Sequence, residues 1–216
     1  MFNDRYGLTK AVLEGRKTMT RRSISEDVWE RADVYRHKYY EDILDLLPWK
    51  KALIEFSPFN VGEVVAVAQS YNDSGWNPNT LQQTFVKEPT VFPDLDPISP
   101  LSGWIDLPLK YHKGWNNKMC VIADLMPHQI RITNVRVERL QDISDEDCMK
   151  EGITTMTEGK YDVGNGYGWD TKIDALERDT FFTPRKAFAA LIDKVSGNGT
   201  WERNPWVFVY EFELVK

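Results

Sequence analysis

From Trp206 to Val215 the side chains alternate without a break. Trp206, Phe208, Tyr210, Phe212 and Leu214 fall on one side, and Val207, Val209, Glu211, Glu213 and Val215 on the other. A period of two is that of a β-strand, so this segment commits the chain to a sheet. The remaining strand candidates are shorter: Ala52 to Phe56, Val64 to Gln69, Met119 to Ile122, and Ile130 to Val137. In the last of these, Ile130 and Ile132 alternate and so do Val135 and Val137, but on opposite parity. That shift predicts one strand with a bulge near Thr133-Asn134.

Helical spacing is interleaved with these strands. Leu8, Ala11 and Val12 share a face and Gly15 follows as a left-handed stop. Ser25 caps a longer pattern, Val28, Ala32, Tyr35, Tyr39, Ile43 and Leu47, which Pro48 should end. The three tyrosines 35, 39 and 40 read as core or interface. Ser144-Asp145-Glu146-Asp147 opens a helix that Gly152 closes. Thr183-Pro184 opens another, with Ala187, Phe188, Leu191, Ile192 and Val195 as its apolar face and Gly197 as its stop. No Gly-rich turn joins a strand to a helix. The pattern predicts an α+β chain on a small, mostly antiparallel curved sheet and disfavours a doubly wound nucleotide fold.

Residues 71 to 113 break the pattern. Six of the eleven prolines lie there, and Trp76, Trp104 and Trp115 lie in or just beyond it. A connection this long inside a compact domain is usually a functional or mobile segment. A second Gly-rich loop is expected over 153 to 182. Trp76, Trp104, Trp115 and Trp169 are candidates for stacking on bases, with packing of loop against core as the alternative. Trp201, Pro205 and Trp206 are expected to pack where the last strand begins.

The 216 residues carry a formal net charge of −6, which excludes a broad basic coat for nucleic acid or a polybasic membrane binder. Charge is nonetheless segregated. Residues 1 to 22 hold six cations against Asp4 and Glu14, whereas Asp142 to Glu151 hold five acids against Lys150. Cys120 and Cys148 exclude a disulfide scaffold or a Cys-based zinc ribbon. Cys120 is expected to be buried, and Cys148 has no activating base in its acidic helix. His37, His112 and His128 form no ligand pair with one another or with a nearby Cys, so neither metal nor cofactor is expected. With no long apolar run or targeting segment, the expectation is a cytoplasmic protein that does not span a membrane.

Gly15-Arg16-Lys17-Thr18-Met19-Thr20-Arg21-Arg22 contains Gly-x-Lys-x-x-Thr-x-Arg, which resembles the signature of ASCH domains, relatives of the PUA-like RNA-binding superfamily. Val61-Gly62-Glu63 with its Val-rich run looks like that family's second block. Pro127 to Ile132, Glu138 to Ser144, Glu151-Gly152-Ile153 and Trp201 to Val207 look like phage- and prophage-encoded members. The resemblance implies one PUA-like domain over 1-216, a small β-barrel with flanking helices. It would carry insertions at 25-47 (helix) and 71-113 (Pro/Trp-rich loop), and a cleft beside Gly15 to Arg22. The implied function is binding of RNA or a modified nucleotide or nucleoside. The first alternative is an amidohydrolase of an acylated nucleoside such as N4-acetylcytidine. The second is an interaction protein in which the 25-47 helix and the Pro-rich loop dock a partner and the cleft is vestigial.

Carried over by motif, the hydrolytic pair would be Lys17 and Thr20. A desolvated Lys beside other cations has a lowered pKa and serves as a base for a nearby hydroxyl. Two residues of opposite parity face opposite sides of a strand, so the pair converges only if Lys17 sits in the turn before it. Arg22 offers a planar fork for phosphate or carboxylate. Gln69 occupies the expected place of the family's Glu, and an amide cannot shuttle a proton. Glu63 is the nearest other carboxylate. Arg16, His128 and Arg131 complete the expected ligand-binding set with Lys17, Thr20, Arg22 and Gln69. A buried carboxylate beside Lys17 would favour the hydrolase.

Overall fold

The computed structural model describes residues 2, 6–39, 46–76, 113–155, 161–162 and 180–215. Helix α1 (Leu8–Leu13) ends at Gly15, whose φ of +71° is the left-handed turn expected there. The chain then folds back, with Arg16 and Lys17 both donating their backbone N–H to the Ala11 carbonyl at 2.9 Å. Strand β1 (Met19–Ser23) follows.

The next segment departs from expectation. Instead of one helix ending at Pro48 and a strand at Ala52 to Phe56, there are two helices, α2 (Glu26–Tyr39) and α3 (Leu46–Glu55). Pro48 lies in the first turn of α3, where its missing N–H breaks no intrahelical bond. Trp49, Ala52, Leu53 and Phe56 have the spacing of one helical face, and Ala52 and Leu53 are buried. A short apolar run does not distinguish strand from buried helix, and here its helical face packs on α2.

Strands β2 (Val64–Ala66), β3 (Gln129–Arg139) and, after the intervening segments, Trp206–Leu214 complete a sheet with β1. Three two-residue strands, β4 (Thr154–Thr155), β5 (Tyr161–Asp162) and β6 (Thr180–Phe181), form a separate small sheet within what was expected to be loop, which makes Trp206–Leu214 strand β7. The larger sheet runs β1-β7-β3-β2 and is a curled antiparallel half-barrel. The fold is therefore α+β with a partial β-barrel. The register of β3 on β7 slips between Ile132 and Asn134, at the bulge predicted from the parity change.

Two of the expected caps, Ser144 and Thr183, are present. The Ser144 hydroxyl accepts from Asp147 N–H at the start of helix Asp145–Lys150, and Thr183 accepts from Lys186 N–H at the start of Pro184–Ser196. Gly152, with φ +102°, turns the chain out of the first of these helices.

The described chain divides into two compact units, residues 1–65 with 128–216, and residues 66–127. The described ends of the insertion expected at 71-113, residues 71–76 and 113, belong to the second unit, which has its own small core, while 77–112 lie outside the described residues. Tyr71 and Met126 are buried there, with Trp76, Trp115, Val121 and Leu125 packed around them. The Trp76 indole N–H donates to the Leu125 carbonyl at 2.8 Å, and the Tyr71 hydroxyl accepts from Ile122 N–H at 2.9 Å. Trp76 and Trp115 are packing residues in this unit, whereas Trp104 and Trp169 lie outside the described residues. The strand expected at Met119 to Ile122 is replaced by two 3-10 turns, Lys118–Cys120 and Ala123–Leu125. Met119 is exposed while Val121, of the same parity, packs on the Tyr71–Met126 core, so the run does not sort its faces as a strand would.

Candidate functional site

β1 sorts the signature by parity. Met19 and Arg21 are buried, while Thr20 is partly buried and Arg22 exposed on the opposite side. Lys17 precedes the strand, in the turn. Its ammonium is 2.5 Å from Glu151 Oε2 and also donates to the Glu151 carbonyl at 2.8 Å. Arg21 Nη1 donates to the other oxygen of the same carboxylate at 3.1 Å. Lys17 and Arg21 therefore share one face and one acid, and Thr20 points away from both. The structure does not bring Lys17 and Thr20 together.

Around Lys17 and Arg21 the two segregated charge segments meet. Arg21 Nη2 donates to Glu138 at 2.6 Å and to Asp147 at 3.1 Å. Arg136 donates to Asp147 at 2.5 Å, to Glu138 at 3.1 Å and to Glu211. The Lys17 side chain is 2% exposed and that of Glu151 5%. Burial holds the Lys17 ammonium below the ordinary lysine range, and the neighbouring Glu151 carboxylate pulls it back up. Burial also opposes charge on Arg21, but Glu151, Glu138 and Asp147 outweigh it and raise that group. Arg21, Arg136, Glu138, Asp147, Glu151 and Glu211 were not among the expected site residues. For Arg21, Asp147 and Glu151 the charge segregation was visible, since they belong to the basic stretch 1 to 22 and the acidic stretch 142 to 151, but Arg136, Glu138 and Glu211 lie outside both.

The opposite face of the sheet carries Thr20, Arg22 and Tyr210. Thr20 is the register partner of Tyr210, and Arg22 of Phe208. The Tyr210 hydroxyl is 2.9 Å from Ser57 Oγ. Burial pushes this phenol up, the Ser57 hydrogen bond and the Arg22 charge pull it down, and Glu63 pushes it up again. Arg22 and Glu63 are thus both within electrostatic reach of Tyr210. Glu63 is exposed and accepts the Asn60 backbone N–H at 2.9 Å, closing its own turn.

The other expected ligand residues are dispersed. Arg16 is paired with Glu14 at 2.6 Å, and Arg131 with Glu213 at 3.3 Å, both at the surface. His128 keeps a buried Nδ1 without a hydrogen-bond partner among the described residues. Gln69 belongs to the 66–127 unit. Its backbone N–H faces the Met126 sulfur at 3.4 Å, and its side-chain oxygen is buried without a partner among the described residues. His112 lies outside the described residues, and among those described no cluster of His, Cys, Asp or Glu has metal-site geometry. No described helix is long and apolar enough to cross a membrane. No protein-family profile, curated protein or solved structure matches the chain.

Proposed function

We propose that this protein binds RNA or a modified nucleotide or nucleoside on the sheet face that carries Thr20 and Arg22. The observation that carries the reading is the sealing of Lys17. Its ammonium is engaged by Glu151 on one face, and the hydroxyl it would have to activate lies on the other. The signature therefore presents a hydroxyl and an exposed guanidinium, which suit recognition of a base edge and a phosphate, without a base poised for hydrolysis. The half-barrel with flanking helices is compatible with a PUA-like domain, and the Gly15 to Arg22 pattern supports assigning it to the ASCH type.

A second reading has one observation in its favour: Glu151 is a buried carboxylate beside Lys17, the arrangement an amidohydrolase would need. The two readings separate in one pair of assays. Titration of a short single-stranded RNA should show affinity that falls with salt, and Arg22→Ala should weaken it and lower the salt slope by about 1. Wild type and Thr20→Ala should both leave N4-acetylcytidine unchanged above background. Turnover by wild type that is lost in Thr20→Ala would establish the hydrolase instead, and no salt-sensitive RNA or nucleoside binding would remove the first reading.

A further inference from the structure

A pocket of about 190 Å³ opens between α2, α3 and the start of β7, lined by Trp29, Trp49, Lys50, Leu53 and Trp206. It lies within the unit formed by 1–65 and 128–216. Drug-sized sites span about 300–1,000 Å³, so this pocket suits one ring system rather than an extended ligand. Its walls are aromatic: the Trp29 and Trp49 rings meet at 5.6 Å with their planes 56° apart. Leu53, which also lines it, is buried.

The rings already carry cations. Lys50 Nζ is 5.6 Å from the Trp206 ring centroid, the Arg139 guanidinium 4.6 Å from the same centroid, and the Arg36 guanidinium 4.6 Å from that of Trp49. Asp33 is engaged by Arg36 and Asp142 by the Arg139 backbone N–H. Lys50 has no carboxylate partner among the described residues. An aromatic cage for a quaternary ammonium requires rings without resident cations, and three of them around these rings repel such a ligand. Flat aromatic surface that already carries positive charge is instead the combination that holds single nucleotides, by stacking and by attraction to phosphate.

We infer that the Trp29–Trp49–Trp206 pocket is a nucleotide site, taking a nucleobase against the indoles and its phosphate against Lys50 and Arg139. The source of that nucleotide is either a free mononucleotide or one unit of a single strand. The inference rests on the pocket's own residues and not on the Thr20–Arg22 face.

The test is calorimetric titration of the full chain with adenosine monophosphate, adenosine and a short oligoadenylate. The monophosphate should bind saturably and adenosine more weakly, because it lacks the anion. Lys50→Glu should weaken the monophosphate about tenfold or more while leaving adenosine unchanged. Trp49→Ala should weaken both, about fivefold to a hundredfold from lost stacking. Circular dichroism checks that Trp49→Ala folds, and the rim substitution Lys50→Glu decides the matter if it does not. Tighter binding of the oligoadenylate identifies a strand as the source, and preference for the monophosphate identifies the free nucleotide. Absence of binding by all three probes, or affinity unmoved by Lys50→Glu, overturns the inference. Binding lost in Arg22→Ala but intact in the pocket variants would uphold the sheet-face reading and reject the pocket.

Discussion

A lysine and an arginine that share one buried carboxylate make Glu151 the residue on which the signature segment depends. Two cations are withdrawn from water by the fold, and Glu151 is the acid both touch. Removing one partner of a buried ion pair typically costs about 3–5 kcal/mol, because the remaining charge keeps its desolvation cost without its partner. Glu151→Gln should therefore lower the denaturation midpoint sharply. Glu213→Gln, which breaks only the exposed pair with Arg131, should cost under about 1 kcal/mol. Urea titration of the two variants checks the contrast, and equal losses would mean that the buried network contributes no more than a surface pair. Cys148 gives a second measurement at this scale. It is buried, and burial pushes its thiol up to about 12. Since the thiolate is the reactive form, a thiol reagent at pH 8 should modify Cys148 in the native protein only at the rate at which the protein opens.

At the level of elements, side-chain caps and glycine stops were the most legible part of the sequence, whereas Pro48, read as a stop, lies in the first turn of α3. Thr183-Pro184, Ser144 and Gly15 act locally, so their effect does not depend on what packs nearby. Thr183→Ala should accordingly cost helix Pro184–Ser196 its cap, about 1 kcal/mol of stability, with little effect if Thr183→Ser replaces it. Thermal melts of the two variants read the difference. The bulge in β3 was legible for the same reason, since parity belongs to a single strand. What was not legible depended on distant partners. Ala52 to Phe56 is as apolar as a strand, and it became helix because α2 gives it a face to pack on. Met119 to Ile122 became 3-10 turns in which Val121 packs on Tyr71 and Met126 while Met119 faces solvent. The site divides in the same way. The basic signature and the acidic 142 to 151 stretch could each be seen, and so could the opposed parity of Lys17 and Thr20. That the acids fold onto Lys17 and Arg21 is a tertiary fact with no local signal.

For the whole molecule, the buried titratable groups combine into a pH profile with opposing limbs. Lys17 is held low by burial. A group depressed in the folded state contributes stability above its unfolded value, ordinarily 10.5, and loses it as pH falls. This contribution therefore grows as pH rises from the lowered folded-state value toward 10.5. Cys148 and Tyr210 are both raised by burial. Their contributions are complete below the ordinary values of 9.0 and 10.0 and are lost as pH climbs, for Cys148 toward about 12. Among these three groups, the rising Lys17 contribution opposes the falling Cys148 one from 9.0 to 10.5, and above 10.5, where Lys17 has nothing more to add, the descending contributions of Cys148 and Tyr210 are unopposed. Cys148→Ala removes one descending contribution and leaves Lys17 in place, so stability measured against pH should fall less steeply above 9.0 in this variant than in wild type. Tyr210→Phe should flatten the same limb from 10.0 upward, and it also removes the hydrogen bond to Ser57, lowering the whole curve. Parallel wild-type and Cys148→Ala curves through that window would show that the thiol ionises as readily in the folded chain as in the unfolded one. They would also remove the reason for its protection from reagent.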